Sequence, residues 1–401
     1  MRALVDTPAG RAVAGALGII VVLTVIGMVV LWPRGEAIDV QEVLAGDTLP
    51  AEVQAVISGG CEEIAGPGCY RLAVELGAGA DAGSTQVITL PDDENQPDVE
   101  VGDDIRVISL DPVSGLGLNA PPQADQSEQA YVFVDFQRGT PLLVLALFFV
   151  ALVVVFGRRR GALALLGLGG SLLLVLLFVV PAIIQGGPPL GVALVGAFGV
   201  MLLTISLTHG LGAQSAAAML GTAAALLLTA LLALVFVELA SITGLASEEA
   251  TLLRGGSGGT LSTSGLVLAG IVIGALGVLD DVTVSQASTV MALRRANPTQ
   301  RARELFDGAL TVGRDHVGAT VNTLVLAYVG AALPVLLIFE TQGTSLGTAL
   351  TRENVAEEIV ATLVGSIGLI AAVPLTTALA AALAVRLPER ALEGPHAHHH
   401  H

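Results

Sequence analysis

The amino-acid sequence predicts an α-helical polytopic membrane protein. It has about eight transmembrane helices, with a small extracytoplasmic β-rich, barrel-like domain inserted after the first. Three observations point there. Hydrophobic residues make up 53% of the 401 and charged residues only 13%, about half the share of a soluble globular chain. The apolar residues fall into runs of about 20, the length that crosses a bilayer. The acidic residues are concentrated: positions 36–130 hold 19 of the 35 Asp and Glu, against only Arg71 and Arg106. Such an island reads as a solvated module set into a membrane protein.

The first run, 12–32, lies in an N-terminal anchor of residues 1–33. It lacks a small-residue cleavage site followed by a plausible mature start, so it is expected to remain as an anchor rather than be removed as a signal peptide. Residues 34–138 form the acidic module. There "AEVQAVI", "YRLAVEL", "TQVITL", "DDIRVISL" and "QAYVFVDF" alternate as strands do, separated by Gly, Pro and Asp clusters. Residues 139–390 hold seven further runs: 140–157, 163–184, 190–208, 215–241, 264–283, 318–339 and 358–385. "GRRRG" (157–161) separates the first two of these, and "GGPP" (186–189) turns the chain between the next pair. Residues 391–401 are a tail and a purification tag, whose five His are set aside; His209 and His316 remain.

The two cysteines, Cys61 and Cys69, both fall in the module, across "CEEIAGPGC". In an oxidising compartment they are expected to form a disulfide; two cysteines alone make no metal site. "PDDENQPDVE" (91–100) lacks the Gly-centred loop of a calcium site and reads as a solvated acidic loop.

Orientation follows from arginine, since none of the 18 basic residues is Lys. With the N-terminus inside, Arg2, Arg11, Arg158, Arg159, Arg160, Arg294, Arg295, Arg301, Arg303, Arg314, Arg386 and Arg390 are cytoplasmic, against six on the other side, four of them within residues 34–138. Both termini are then cytoplasmic and residues 34–138 extracytoplasmic. The net charge of −17 and the absence of a basic patch exclude a nucleic-acid partner.

The polar residues inside the apolar runs are the candidate site, because a charge within a membrane costs roughly 2.5–3.5 kcal/mol on insertion scales and needs a partner, water or a task. Asp280 and Asp281 end one run. Asp281, Ser285 and Ser288 share a helical face at i, i+4 and i+7, whereas Asp280 points about 100° away. Asp281 is therefore expected to face the protein interior, and Asp280 a cytoplasmic arginine or the headgroups. Thr208 and His209 end another run inwardly, and Arg314 and Asp315 begin a third at the same depth, with Asn322 two turns deeper on the face of Asp315. Gln286 and Gln214 mark a faint echo between "GAQSAAAM" (212–219) and "VSQASTVM" (284–291), which would fit a repeat of two hairpins. The stretch 288–316 is expected to stop one helix at Asn297-Pro298 and start an amphipathic one, capped by Thr299, lying along the inner membrane surface.

Four segments carry a family resemblance: "DFQRGTPLLVLALFFVALVVVFGRRRGALALLGL", "LTISLTHGLGAQSAAAMLGT", "GALGVLDDVTVSQASTVMALRRANP" and "GRDHVGATVNTLVLAYVGAALP". With them the chain resembles the YibE/F family of bacterial multi-pass membrane proteins. The resemblance implies a plasma (inner) membrane protein with an extracytoplasmic N-terminal domain; it implies no particular substrate.

The polar residues, rather than the resemblance, point to a secondary transporter or channel-like protein moving a small ion or solute, since no ATP-binding motif is present. Asp281 would bind the coupling ion, helped by Ser285, Asp315 and Asn322, and a monovalent cation is the one candidate for a bound cofactor. The alternative is a non-transporting receptor, assembly factor or accessory subunit working through the outer module. "GALGVLDD" superficially resembles the Gly-x-Gly-Asp element of intramembrane aspartyl proteases. That chemistry needs a second, facing Asp, and Asp315 beside Arg314 is a poor one, so no enzyme is expected. The lipid bilayer is the expected surrounding, and a homo-oligomer is left open.

Overall fold

The computed structural model describes residues 7–35, 48–58, 69–79, 81–91, 98–110, 130–246, 250, 253–255 and 261–387. The chain divides into two compact units, residues 1–38 with 153–401, and residues 39–152.

In the smaller unit, β1 (Leu49–Ser58), β2 (Cys69–Leu76), β3 (Thr85–Pro91), β4 (Asp104–Leu110) and β5 (Ala130–Phe136) form one antiparallel sheet in the order β3-β2-β1-β4-β5. These are the five alternating segments of the sequence. The alternation places Val53, Leu72, Val74, Ile88, Ile105 and Val107 in one core while Glu52, Gln54 and Glu75 face out, the period of two that strands impose. Pairing slips by one residue between Val53 and Ala55 and again at Arg106/Val107. Such bulges sharpen the twist, and the sheet curls until β3 meets β5. Cys69 opens β2 with its side chain buried; Cys61 lies outside the described residues.

Among the described residues, seven helices are long and apolar enough to cross a membrane, and the protein is membrane-embedded. They are α1 (Pro8–Val30), α2 (Gly139–Leu174, continued by a π-helical turn Val175–Val179 and α3, Val180–Ile184), α4 (Pro189–His209), α5 (Ala213–Leu239), α6 (Thr263–Ala296), α7 (Ala302–Thr341) and, after the short α8 (Leu346–Leu350), α9 (Glu353–Ala384). The stretch from Gly139 to Ile184 counts as one of the seven but has 46 residues, about 69 Å of helix against a ~30 Å hydrocarbon core. It is not straight. Arg158 has φ 50°, ψ −131°, outside helical space, and the Val153 carbonyl fills the place a Cβ on Gly161 would take. Residues eight apart in a straight helix are about 12 Å apart along its axis, so the helix breaks sharply at "GRRRG".

α5, α6 and α9 pack as the centre of the larger unit. In lipid, helices associate through close packing of small residues rather than through hydrophobic burial, and the contacts here are of that kind. A Cβ on Gly221 of α5 would overlap the Thr376 side chain of α9, and one on Gly368 of α9 would overlap Thr229 of α5. Buried hydroxyls tie α5 to α6 as well: Thr222 and Thr283 meet at 2.6 Å. α1 docks on α4, where Gly27 lies against Val195 and Gly199 against Met28. Gln185 closes this side by accepting from the Gly35 N–H (2.8 Å) and donating to the Gly35 carbonyl (3.0 Å).

α6 runs on beyond its apolar run to Asn297, which caps it, at the stop expected for Asn297-Pro298. Three expectations are corrected. α7 is continuous over 40 residues, so the surface helix and the span expected at 318–339 are one element. Its start is at Arg301 rather than Thr299, where Glu304 accepts from the Arg301 N–H at 2.8 Å. The two echoed segments also occupy unlike places: 212–219 opens α5, whereas 284–291 lies within α6, so they are not equivalent halves of two hairpins.

Candidate functional site

The larger unit brings carboxylate, hydroxyl and imidazole groups together where α6 passes the C-terminal end of α4. Asp280 is half-buried against α4. Its Oδ2 accepts a hydrogen bond from Thr204 Oγ1 at 2.8 Å. Its Oδ1 is buried and has no hydrogen-bond partner among the described residues. Thr204 is itself oversubscribed: Oγ1 also lies 2.9 Å from the Val200 carbonyl and 3.3 Å from that of Met201. A hydroxyl has one proton. When Thr204 spends it on the carbonyl of its own helix, the contact with Asp280 is satisfied by a protonated carboxyl donating to Thr204. When Asp280 is ionised, Thr204 turns its proton outward. The pair is built to hold the carboxyl in either state.

The helix surface around it continues the polar character. Thr208, one turn along α4, donates to the Thr204 carbonyl (2.7 Å) and lies 2.6 Å from His209 Nδ1. Arg160 and Asp281 are both close enough to act on the charge of His209, and Asp281 acts on Asp280. These six residues come from three segments that the larger unit folds together.

The structure reverses the expected orientations of the adjacent carboxylates. Asp281 is exposed, in line with the exposed Gly270, Gly274 and Gly277 on one face of α6, while Asp280 turns into the bundle. The helical-face argument correctly placed Asp281 with Ser285 and Ser288, which are half-buried. It chose the wrong face as the interior because α7 packs only loosely over that stripe. Arg314, Asp315 and Asn322 are likewise exposed, so Asp281 does not meet an Asp315–Asn322 face turned into the bundle. The bundle-facing side of α7 instead carries Gly313, His316, Val317, Thr320, Val321 and Tyr328, with His316 Nε2 buried and unpaired among the described residues. Gln286 is buried at 1% exposure, and its amide oxygen accepts from Thr377 Oγ1 of α9 at 3.0 Å. That makes it a tie between core helices. Gln214 is half-buried in the first turn of α5.

One acidic pair escaped the sequence reading. Glu357 and Glu358 lie one turn inside the start of α9 and line a cavity with Tyr328 of α7. The signal was present as "AEEIV" (356–360), two acids at the edge of an apolar run, but the span was drawn to start at 358.

A family model described as YibE/F-like protein matches residues 145–386, well over half of the chain. No curated protein and no solved structure matches it.

Proposed function

The chain belongs to the YibE/F-like family, and we propose that it is a secondary transporter of the plasma membrane in which Asp280 carries the coupling proton or cation. The observation that supports this most is the buried Oδ1 of Asp280, a carboxylate oxygen inside a helix bundle without a hydrogen-bond partner among the described residues. A structural carboxylate at that depth would be fully hydrogen-bonded or paired with a cation. This one keeps an oxygen open for a proton, a water or a monovalent cation. Thr204 accommodates both charge states, and Asp281, Arg160 and His209 form its approach. The exposed stripe of Gly270, Gly274, Gly277 and Asp281, which α7 overlies only loosely, gives solute and water a route along α6.

In this reading the membrane domain has eight spans, because the 46-residue stretch breaks at Arg158 into two segments that each suffice to cross. Both termini and the "GRRRG" turn are cytoplasmic, and residues 34–138, with a Cys61–Cys69 disulfide, are extracytoplasmic. The experiment is reconstitution into liposomes loaded with a pH-sensitive dye, followed by a screen of cation and solute gradients. Proton- or sodium-coupled flux that disappears in Asp280→Asn supports the reading; flux unaffected by that variant rejects Asp280 as the carrier.

A second reading has its own observation. Val87, Val132 and Val134 are exposed on the outer sheet, a surface suited to a protein partner. An envelope receptor or accessory subunit would use it, and would show no flux in any gradient.

A further inference from the structure

We infer that the cavity between α6, α7 and the start of α9 is a binding site for a small organic cation, an ammonium group carrying apolar substituents. The inference deepens the transporter reading and rests on it only for the side of the membrane to which the cavity opens. The cavity has a volume of about 330 Å³, the lower end of the range for small-molecule sites. Among the described residues its charge is of one sign: Glu357 and Glu358 line it, and no described Arg or His does. Both are half-buried, and neither is in an ion pair among the described residues.

A third carboxylate nearby shows what a structural acid looks like here. Glu353 Oε1 accepts from the Thr243 and Gly244 N–H groups at 2.6 and 2.7 Å, and the Thr243 hydroxyl adds a bond at 2.8 Å. Gly244, with φ +71°, is packed so closely on the Thr263 backbone that no side chain fits. Glu353 is thus consumed in pinning the loop that forms one wall. Glu357 and Glu358, one turn deeper, have no such employment.

The remaining lining decides which cation fits. A bare divalent ion needs six or more oxygens, and no group of three or more His, Cys, Asp or Glu that could hold a metal occurs among the described residues. The walls are instead apolar, with Leu266, Val267 and Ile271 from α6. Tyr328 supplies an aromatic ring, its hydroxyl set 3.6 Å from where a Cβ on Gly274 would lie. Carboxylates, one aromatic face and aliphatic walls together suit an alkylammonium, whose charge is diffuse, whose methyl groups need apolar contact and which is attracted to aromatic rings.

The test is isothermal titration of the purified full-length protein in detergent with tetramethylammonium chloride, against sodium chloride at equal ionic strength. Saturable binding of tetramethylammonium is expected, weakened at least tenfold in the Glu357→Gln/Glu358→Gln double variant. Tyr328→Leu should weaken it roughly two- to fivefold, as loss of a cation–π contact does. Should the double variant fail to fold, carbodiimide modification of the wild-type protein, read by peptide mass, takes its place: tetramethylammonium should protect Glu357 and Glu358 from labelling. No saturable binding, binding undiminished in the double variant, equal binding of sodium, or labelling unaffected by tetramethylammonium would each overturn the inference. Binding without flux would reject the transporter reading and leave this site standing; flux without ammonium binding would do the reverse.

Discussion

The hydroxyl of Thr204 and the carboxylate of Asp280 meet at 2.8 Å across two helices, 76 residues apart in the chain. The contact joins α4 to α6 by a bond whose proton can belong to either partner. On the other side of the same carboxylate, Oδ1 has no hydrogen-bond donor among the described residues. A group held on one oxygen and open on the other is positioned but not neutralised, which is what reversible loading of a proton or ion requires.

Asp280→Asn should fold normally, because the amide keeps both shape and a hydrogen bond to Thr204, and coupled flux should fall to the level of empty liposomes. Asp281→Asn, at an exposed position, should leave flux close to wild type. Reversed effects of the two variants would restore Asp281 as the carrier. Thr204→Val should be intermediate and cost stability as well, about 1–3 kcal/mol for a buried acceptor left unpaired.

Thr377→Val tests the structural part of the polar network. It keeps volume but leaves the buried Gln286 amide oxygen without its donor, at a cost of about 1–3 kcal/mol. Thermal denaturation in detergent should show the loss with flux, where measurable, retained per folded molecule. A flux defect without a stability defect would move Gln286 from the core to the transport path.

Gly221→Ala should be destabilising by about 1–3 kcal/mol through overpacking, because its new methyl group would overlap Thr376 at the α5–α9 contact. Thr376→Ala in the same chain should recover part of the loss. If Gly221→Ala is neutral, α5 and α9 do not approach as closely as described.

Much of this was legible in the sequence, for reasons particular residues make plain. All five strands could be read because the sheet buries one face only, so Val53, Leu72, Val74 and Ile105 alternate with polar neighbours. The helical spans could be read from length, and the break at "GRRRG" from three charges in a row. What could not be read was azimuth. In a bilayer the outside of a helix is as apolar as its inside, so the pattern around Asp280 and Asp281 says that they differ by 100° without saying which one faces protein. Only the Thr204 contact decides. The continuity of α7 was hidden for a related reason: Arg314, Asp315 and His316 resemble a helix start, and only Gln286 and Val373 packing on Gly313 reveal the middle of one.

In the outer sheet, Cys69 is buried at the first residue of β2, eight positions after Cys61. We expect the intact mass after non-reducing purification to be two hydrogens below that of the reduced chain. Closing so short a loop contributes about 2–3 kcal/mol in the chain-entropy model, so Cys61→Ser/Cys69→Ser should lower the unfolding temperature of the sheet while leaving the helices intact. Two free thiols by mass would reject the bond.

The last prediction concerns Arg158, whose positive φ carries both a stability and a topology consequence. With φ 50° and ψ −131° it occupies backbone space that a side chain disfavours at about 1–3 kcal/mol, while glycine reaches it freely. Arg158→Gly should therefore raise the melting temperature, against the usual direction for glycine in a helical stretch. A lowered melting temperature would mean that the helix runs straight through this position. The same break decides the number of spans. If the chain reverses at Arg158, residues 139–157 and 159–184 each cross the membrane. Arg159 then lies on the cytoplasmic side with Ala296, and Thr344 lies on the opposite side. Single cysteines at these three positions, in the Cys61→Ser/Cys69→Ser background, should react with an impermeant maleimide accordingly: Thr344→Cys in intact cells, Arg159→Cys and Ala296→Cys only after permeabilisation. Labelling of Arg159→Cys from outside, on the side of Thr344, would leave seven spans in place of eight. It would also remove the reason for placing Arg160 beside the cytoplasmic approach to Asp280.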